Sequence, residues 1–366
     1  MNKRKFKNTE WGILIISLIL FIIGIVALYS CTQSTEFEEM KKQLIWFVIS
    51  IPVLIVFFIL DYNLLSRASY IVYGIFIALL IGVLFTTEIN GATSWFNIGA
   101  FSFQPGEFAK VFVIICFATL ICKFQERGKD EINKPWKLLV SLSIVAIPVL
   151  LIMIQPDLGT AAAFLVATIF ILFVAGIDKK YILVTLLLIV ILVPLIYMFI
   201  LPEHAKTRID VFLNPDLDPR GAGYNIIQSK LAVGAGKVFG MGILKGNQTQ
   251  LGFLYPKTTD FIFAVIGEEM GFIVSTAVII LYVLLLNKAI GIAKTAKDDL
   301  GSYIAMGITG ILFFHVLENI GMTIGLLPIT GVPLPFISYG GSSLITNFIC
   351  IGILLNISSR RQKSLF

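Results

Sequence analysis

The run WGILIISLILFIIGIVALYS, residues 11–30, holds twenty residues without one charge. At about 1.5 Å per residue, a helix of that length crosses the ~30 Å hydrocarbon layer of a bilayer. Lys3, Arg4, Lys5 and Lys7 precede it. That order resembles a secretion signal, but the run is too long and no small-x-small cleavage site follows. It therefore reads as an uncleaved first span. Similar runs recur along the chain and give ten expected spans, at 11–30, 43–60, 69–87, 107–124, 137–154, 159–176, 180–201, 260–286, 302–325 and 343–358. The ten-residue alternation of a membrane barrel is not seen, so helices are the expected spanning element. The expected fold is an all-α polytopic membrane protein, with residues 1–366 forming a single integral membrane domain.

Composition agrees. Of 366 residues, 57% are hydrophobic and 14% charged, against roughly 25% charged in soluble domains. Cys31, Cys116, Cys122 and Cys350 show no paired spacing that suggests a disulfide framework or zinc site. His204 and His315 are the only histidines, which argues against a His-rich metal centre.

Lys and Arg set the orientation. With the N-terminus in the cytoplasm, most of the 28 basic residues fall inside, among them Arg67, Lys123, Arg127, Lys129, Lys179, Lys180, Lys288, Arg360 and Arg361. Both termini are then cytoplasmic. The unusual segments all face outward: 88–107, 155–158, the long segment 202–259 between spans seven and eight, and LLPITGVPLPFISYGGS at 326–342. Segment 202–259 carries seven Lys and Arg against four acids and many glycines, which suits an anionic lipid head group. A short interfacial helix is expected over 224–233. The proline-rich 326–342 reads as a re-entrant or outer-cavity loop, because non-helical backbone at membrane depth must be buried in protein or line a cavity.

Several polar residues stand out in this apolar setting. Asp260 opens the eighth run, where a helix start favours an ionised acid; burial would push the other way. It reads as a cap or as a carboxylate at the outer edge acting as base or metal ligand. Glu268 and Glu269 follow eight and nine residues on, roughly 12 to 14 Å deeper on a continuous helix. They read as a polar lock or as the wall of an outer cavity, and neighbours on a helix cannot both face one narrow space. Glu107 and Lys110, at i and i+3, form a local ion pair or offer Lys110 to a phosphate. Asp157 has the same cap reading as Asp260.

The segments FQPGEFAK (103–110), IQPDLGTA (154–161), RIDVFLNPDLDPRGAGYN (208–225), TDFIFAVIGEEMGF (259–272) and GLLPITGVPLPFISYGGSSL (325–344) together resemble the SEDS family of shape, elongation, division and sporulation proteins, in the same order over essentially the whole chain. The last segment is most similar to the rod-shape branch, and the division branch is the close alternative. The chain departs at Thr258, where the family often has His, and at Asn225, where it often has Gln.

The resemblance implies a peptidoglycan glycosyltransferase that polymerises lipid II on the outer face of the bacterial cytoplasmic membrane. It implies a class B penicillin-binding protein as partner, and a divalent cation, Mg2+ or Mn2+, as cofactor, with Asp260 as a candidate ligand. The family's essential aspartate falls on Asp260. Its supporting or substrate-binding positions fall on Glu107, Lys110, Asp157, Arg208, Arg220 and Glu268. The expected roles are Asp260 as base for the acceptor hydroxyl, and Lys110, Arg208 and the cation on the leaving pyrophosphate. Two rivals are a lipid flippase or transporter, and a non-catalytic scaffold. Transport predicts polar residues in the cytoplasmic halves of spans too, but here they crowd the outer half.

Overall fold

The computed structural model describes residues 8–87, 93–98, 101–181, 183, 184, 187, 198, 206, 210–219 and 221–361. Its long helices are α1 (Trp11–Cys31), α2 (Glu38–Ile59), α3 (Tyr62–Val83), α4 (Pro105–Gln125), α5 (Pro135–Ile154), α6 (Leu158–Ala175), α9 (Ile262–Lys294), α10 (Asp299–Thr323) and α11 (Gly341–Ser359). Between α6 and α9 lie α7 (Ala222–Ala235) and the short α8 (Asn247–Gln250). A two-stranded antiparallel hairpin, β1 (Phe96–Ile98) with β2 (Phe101–Phe103), precedes α4.

Eight of these helices are long and apolar enough to cross a membrane. They match the first three expected spans, the fifth, sixth, eighth, ninth and tenth, within a few residues at most ends. The expected fourth corresponds to α4, 21 residues long with Glu107 and Lys110 near its start. The expected seventh, 180–201, lies largely outside the described residues, as do Lys3, Arg4, Lys5 and Lys7. The third starts seven residues earlier than expected because the Asp61 side chain accepts from Asn63 N and caps the helix there.

Burial sorts the helices. In the most apolar stretch of each, 89% of α11 and 72% of α10 are buried, against 11% of α2 and 17% of α3. A helix that is apolar all round and buried is a core helix; α2 and α3 turn the same kind of surface outward. α11 packs on α2, and α10 packs on α6 and α9.

Two departures shape one end of the bundle. The backbone from 324 to 340 is non-helical, with Val332 and residues 334–338 buried, as the prolines suggested. Gly24 of α1 gives Ile337 room: a Cβ there would sit 2.7 Å from the Ile337 Cα. The second departure is a correction. α9 is not continuous; Gly271 has φ +76 and ψ −173, splitting off a stub, 262–270. Segment 237–242 fills the break. Phe272 N donates to Lys237 O, Met241 N to Glu268 O and Gly242 N to Glu269 O.

Glu268 and Glu269 therefore do not hang in the middle of a straight span. Both are buried and both hold the stretch 246–250. Glu268 accepts from Gln248 N at 2.7 Å and from the Thr249 backbone and hydroxyl. Glu269 accepts from Ser30 Oγ, Gln250 Nε2 and Gly246 N. The two neighbours serve one segment because that segment wraps the stub, which the argument from helical angles alone did not allow for.

A Cβ at Gly271 would meet Gly240 N at 2.2 Å, and φ there favours glycine. Gly271→Ala should lower stability by about 2 kcal/mol or more. Gly291→Ala, in the second half of α9 with nothing within 4 Å, should be neutral or slightly stabilising. Melting of the two purified variants in detergent checks this contrast.

Candidate active site

Three helix starts and one loop converge on a small polar region. Pro105 occupies the first turn of α4, where its missing N–H is no loss. That start sets Glu107 and Lys110 on one face, and they form an ion pair at 2.8 Å with side chains 5% and 1% exposed. Lys110 Nζ also lies 2.7 Å from His315 Nε2 of α10. An ammonium only donates, so Nε2 accepts and the ring proton is on Nδ1. Nδ1 then donates to Pro333 O at 3.1 Å. The chain Glu107–Lys110–His315–Pro333 thus ties α4 and α10 to the loop. Lys110 is enclosed and is not presented to a phosphate.

Asp157 caps α6, accepting from Thr160 N at 3.0 Å, and its other oxygen accepts from Gln104 Nε2 at 2.9 Å. Burial pushes its carboxyl up from the usual carboxylate range, against the hydrogen bonds from Thr160. Gln104 N in turn donates to Ser342 Oγ at the start of α11.

Asp260 lies in a turn just before α9, outside the span itself. It is not the cap: Phe261 holds that position, and its side chain makes no capping bond. The helix start therefore does not fix the acid as an anion, and burial decides. Burial pushes the Asp260 carboxyl up to about 6, with a hydrogen bond from the Thr259 side chain pulling the other way. Its Oδ2 borders Gly331 of the loop. The backbone around it is tightly held. Tyr339 N donates to Thr258 O at 2.9 Å, Ser338 Oγ to Thr259 O at 2.6 Å and Asn319 Nδ2 to Asp260 O at 2.9 Å.

The loop thus brings Glu107, Lys110, Asp157 and Asp260 to one region. Glu268 is not part of it; its hydrogen bonds go to the external segment. Arg208 and Arg220 lie outside the described residues. His315, Glu318 and Asn319 were missed in the sequence. Glu318 accepts from Thr330 Oγ1 at 2.7 Å. Their signal was present as FFHVLENIG, 313–321: polar groups at i, i+3 and i+4 inside an apolar run.

Among the described residues no group of three or more His, Cys, Asp or Glu side chains could hold a metal ion by itself. One carboxylate still suffices for a Mg2+-type cation that takes its other ligands from phosphate oxygens and water. Asp260, whose side chain is bonded to a neutral hydroxyl, fits that limited role.

Comparisons with known proteins bear on the chain as a whole. A family model described as "Cell cycle protein", covering FtsW, RodA and SpoVE, matches residues 10–363. The peptidoglycan glycosyltransferase MrdB of Escherichia coli K12 is 34% identical, with 97% of each chain covered. Stage V sporulation protein E of Bacillus subtilis 168 is 38% identical over 94% of this chain and 96% of its own. A chain in a structure described as "Structural coordination of polymerization and crosslinking by a peptidoglycan synthase complex" superposes with a TM-score of 0.83 at 28% identity, covering 97% of this chain and 99% of that one. By its motifs, its fold and these full-length matches, the protein belongs to the FtsW/RodA/SpoVE family, the SEDS proteins.

Proposed function

We propose that this peptidoglycan glycosyltransferase polymerises lipid II on the outer face of the cytoplasmic membrane, with Asp260 as the base. The observation that carries the reading is Asp260 itself: an acid outside the span, raised to about 6 by burial and bordered by a glycine-bearing loop. A base works best when its pKa lies near the working pH. We assign ten spans with both termini cytoplasmic, which directs the loop 326–342 and segment 202–259 outward. The elongation role rests on the likeness of GLLPITGVPLPFISYGG to the rod-shape branch. A class B penicillin-binding protein is the proposed partner. The synthase complex described for a structural neighbour supports such an assembly.

In the reaction, the acceptor sugar's 4-hydroxyl oxygen attacks the anomeric carbon of the donor. The bond from that carbon to the pyrophosphate oxygen breaks, and the lipid pyrophosphate leaves. Asp260 takes the hydroxyl proton. Glu107, Lys110 and Asp157 act as supports that fix the helix starts. Lys110 is already paired with Glu107 and His315, so positive charge for the pyrophosphate is assigned to the basic segment 202–259, with Arg208 as the candidate. A divalent cation would have Asp260 as its candidate ligand and would supply positive charge at this edge of the site.

Purified protein given lipid II should make glycan polymer, resolved on a gel, and Asp260→Asn should lower the rate by roughly 10²- to 10⁴-fold. Lipid movement across liposomes without polymer would overturn the enzyme reading. An acid raised to about 6 is protonated below that pH and competent only above it. The wild-type rate should therefore rise with pH through about 6 and level off. Chelation with EDTA should abolish polymer formation, and added Mg2+ or Mn2+ should restore it.

A further inference from the structure

Asp260 sits in a turn, so no regular helix or strand fixes its direction. Three bonds fix it instead. The successive carbonyls of Thr258, Thr259 and Asp260 accept from Tyr339 N, Ser338 Oγ and Asn319 Nδ2. Two of those donors are side chains with second duties at the same place. Asn319 gives its other amide hydrogen to Val332 O at 2.8 Å. Ser338 Oγ accepts from Leu334 N at 2.8 Å. Each side chain therefore stitches the Asp260 turn to the loop that borders the carboxylate.

Asn319 is fully buried, and its Oδ1 has no hydrogen-bond partner. An unpaired buried acceptor lowers stability. A leucine of similar shape would remove that acceptor but would leave the carbonyls of Asp260 and Val332 without this donor. What the amide supplies, and leucine would not, is the pair of hydrogens on Asp260 O and Val332 O.

We propose that Asn319 and Ser338 are positioning residues, which hold the Asp260 carboxylate toward the substrate by fixing the backbone on either side of it. The inference rests on reading Asp260 as the base. A displacement of about 1 Å at a reacting group can lower turnover on the order of 10²-fold without changing what binds. Both side chains act through Asp260 and the loop, and neither is assigned contact with substrate.

The test measures lipid II polymerisation by Asn319→Leu and Asp260→Asn beside wild type, with kcat expressed per monodisperse protein. Asn319→Leu is expected to lower kcat by about 10²-fold, with the KM for lipid II within twofold; the protein should still fold, with melting lowered by the two carbonyls left without a donor. A folded Asn319→Leu with wild-type kcat, or with a change in KM alone, overturns the proposal. If Asn319→Leu does not fold, Ser338→Ala, which removes one oxygen, is judged by the same split. Failure of both to fold assigns these bonds to stability and also overturns it. The two readings separate cleanly. Near-normal activity of Asp260→Asn contradicts the base, whereas an inactive Asp260→Asn with a normal Asn319→Leu contradicts only the positioning.

Discussion

A buried backbone without regular structure must find hydrogen-bond partners, and the segment 324–340 imposes that demand on the rest of this fold. Its groups are met from several helices. Asn319 and His315 of α10, one turn apart, take the successive carbonyls of Val332 and Pro333. Tyr282 of α9 donates to Pro335 O, and Gln43 of α2 donates to Ser338 O while accepting from Gly340 N. In meeting these groups, the helices are drawn together at one end. One of the side chains that complete the loop, Asn319, also bonds the Asp260 carbonyl.

The charges fall into the same order. Burying an ion without a partner is costly, so buried ions are expected in pairs. Lys110 has Glu107, and His315 turns its accepting nitrogen to the ammonium. Asp157 has a cap and an amide. Glu268 has two backbone N–H groups and a hydroxyl. Asp260, like Asp157, has its carboxyl moved up by burial, but it caps no helix, and the interaction opposing the shift is a single hydrogen bond from the Thr259 side chain. A carboxyl in that setting gains most from a proton or a cation. The supports have their partners; Asp260 is the acid proposed to react.

Much of the frame was legible in the sequence. Uninterrupted apolar runs gave the helices, and the i, i+3 spacing of Glu107 and Lys110 gave their ion pair. Asp157 behaves as the cap its position suggested, and the prolines of 326–342 marked non-helical backbone. What failed had physical causes. Gly271 is one glycine inside an apolar run and reads as tolerable helix; its positive φ follows from segment 237–242 packing into the break, a contact distant in sequence. The stub made by that break placed Glu268 and Glu269 against 246–250. The helix dipole suggested an ionised Asp260, but the acid precedes the cap and burial prevails. His315 and Asn319 passed as part of a span because their partners, the carbonyls of 332 and 333, are invisible until the loop is folded.

The central claim is that Asp260, fixed beside the loop, takes the proton of the acceptor hydroxyl. The most direct measurement is a structure of the protein with lipid II or a non-hydrolysable analogue bound. The account predicts the acceptor's 4-hydroxyl within hydrogen-bond reach of an Asp260 carboxylate oxygen, roughly 2.6 to 3.2 Å, with the pyrophosphate toward the basic external segment. A substrate whose sugar lies away from Asp260 and the 330–338 loop would contradict it.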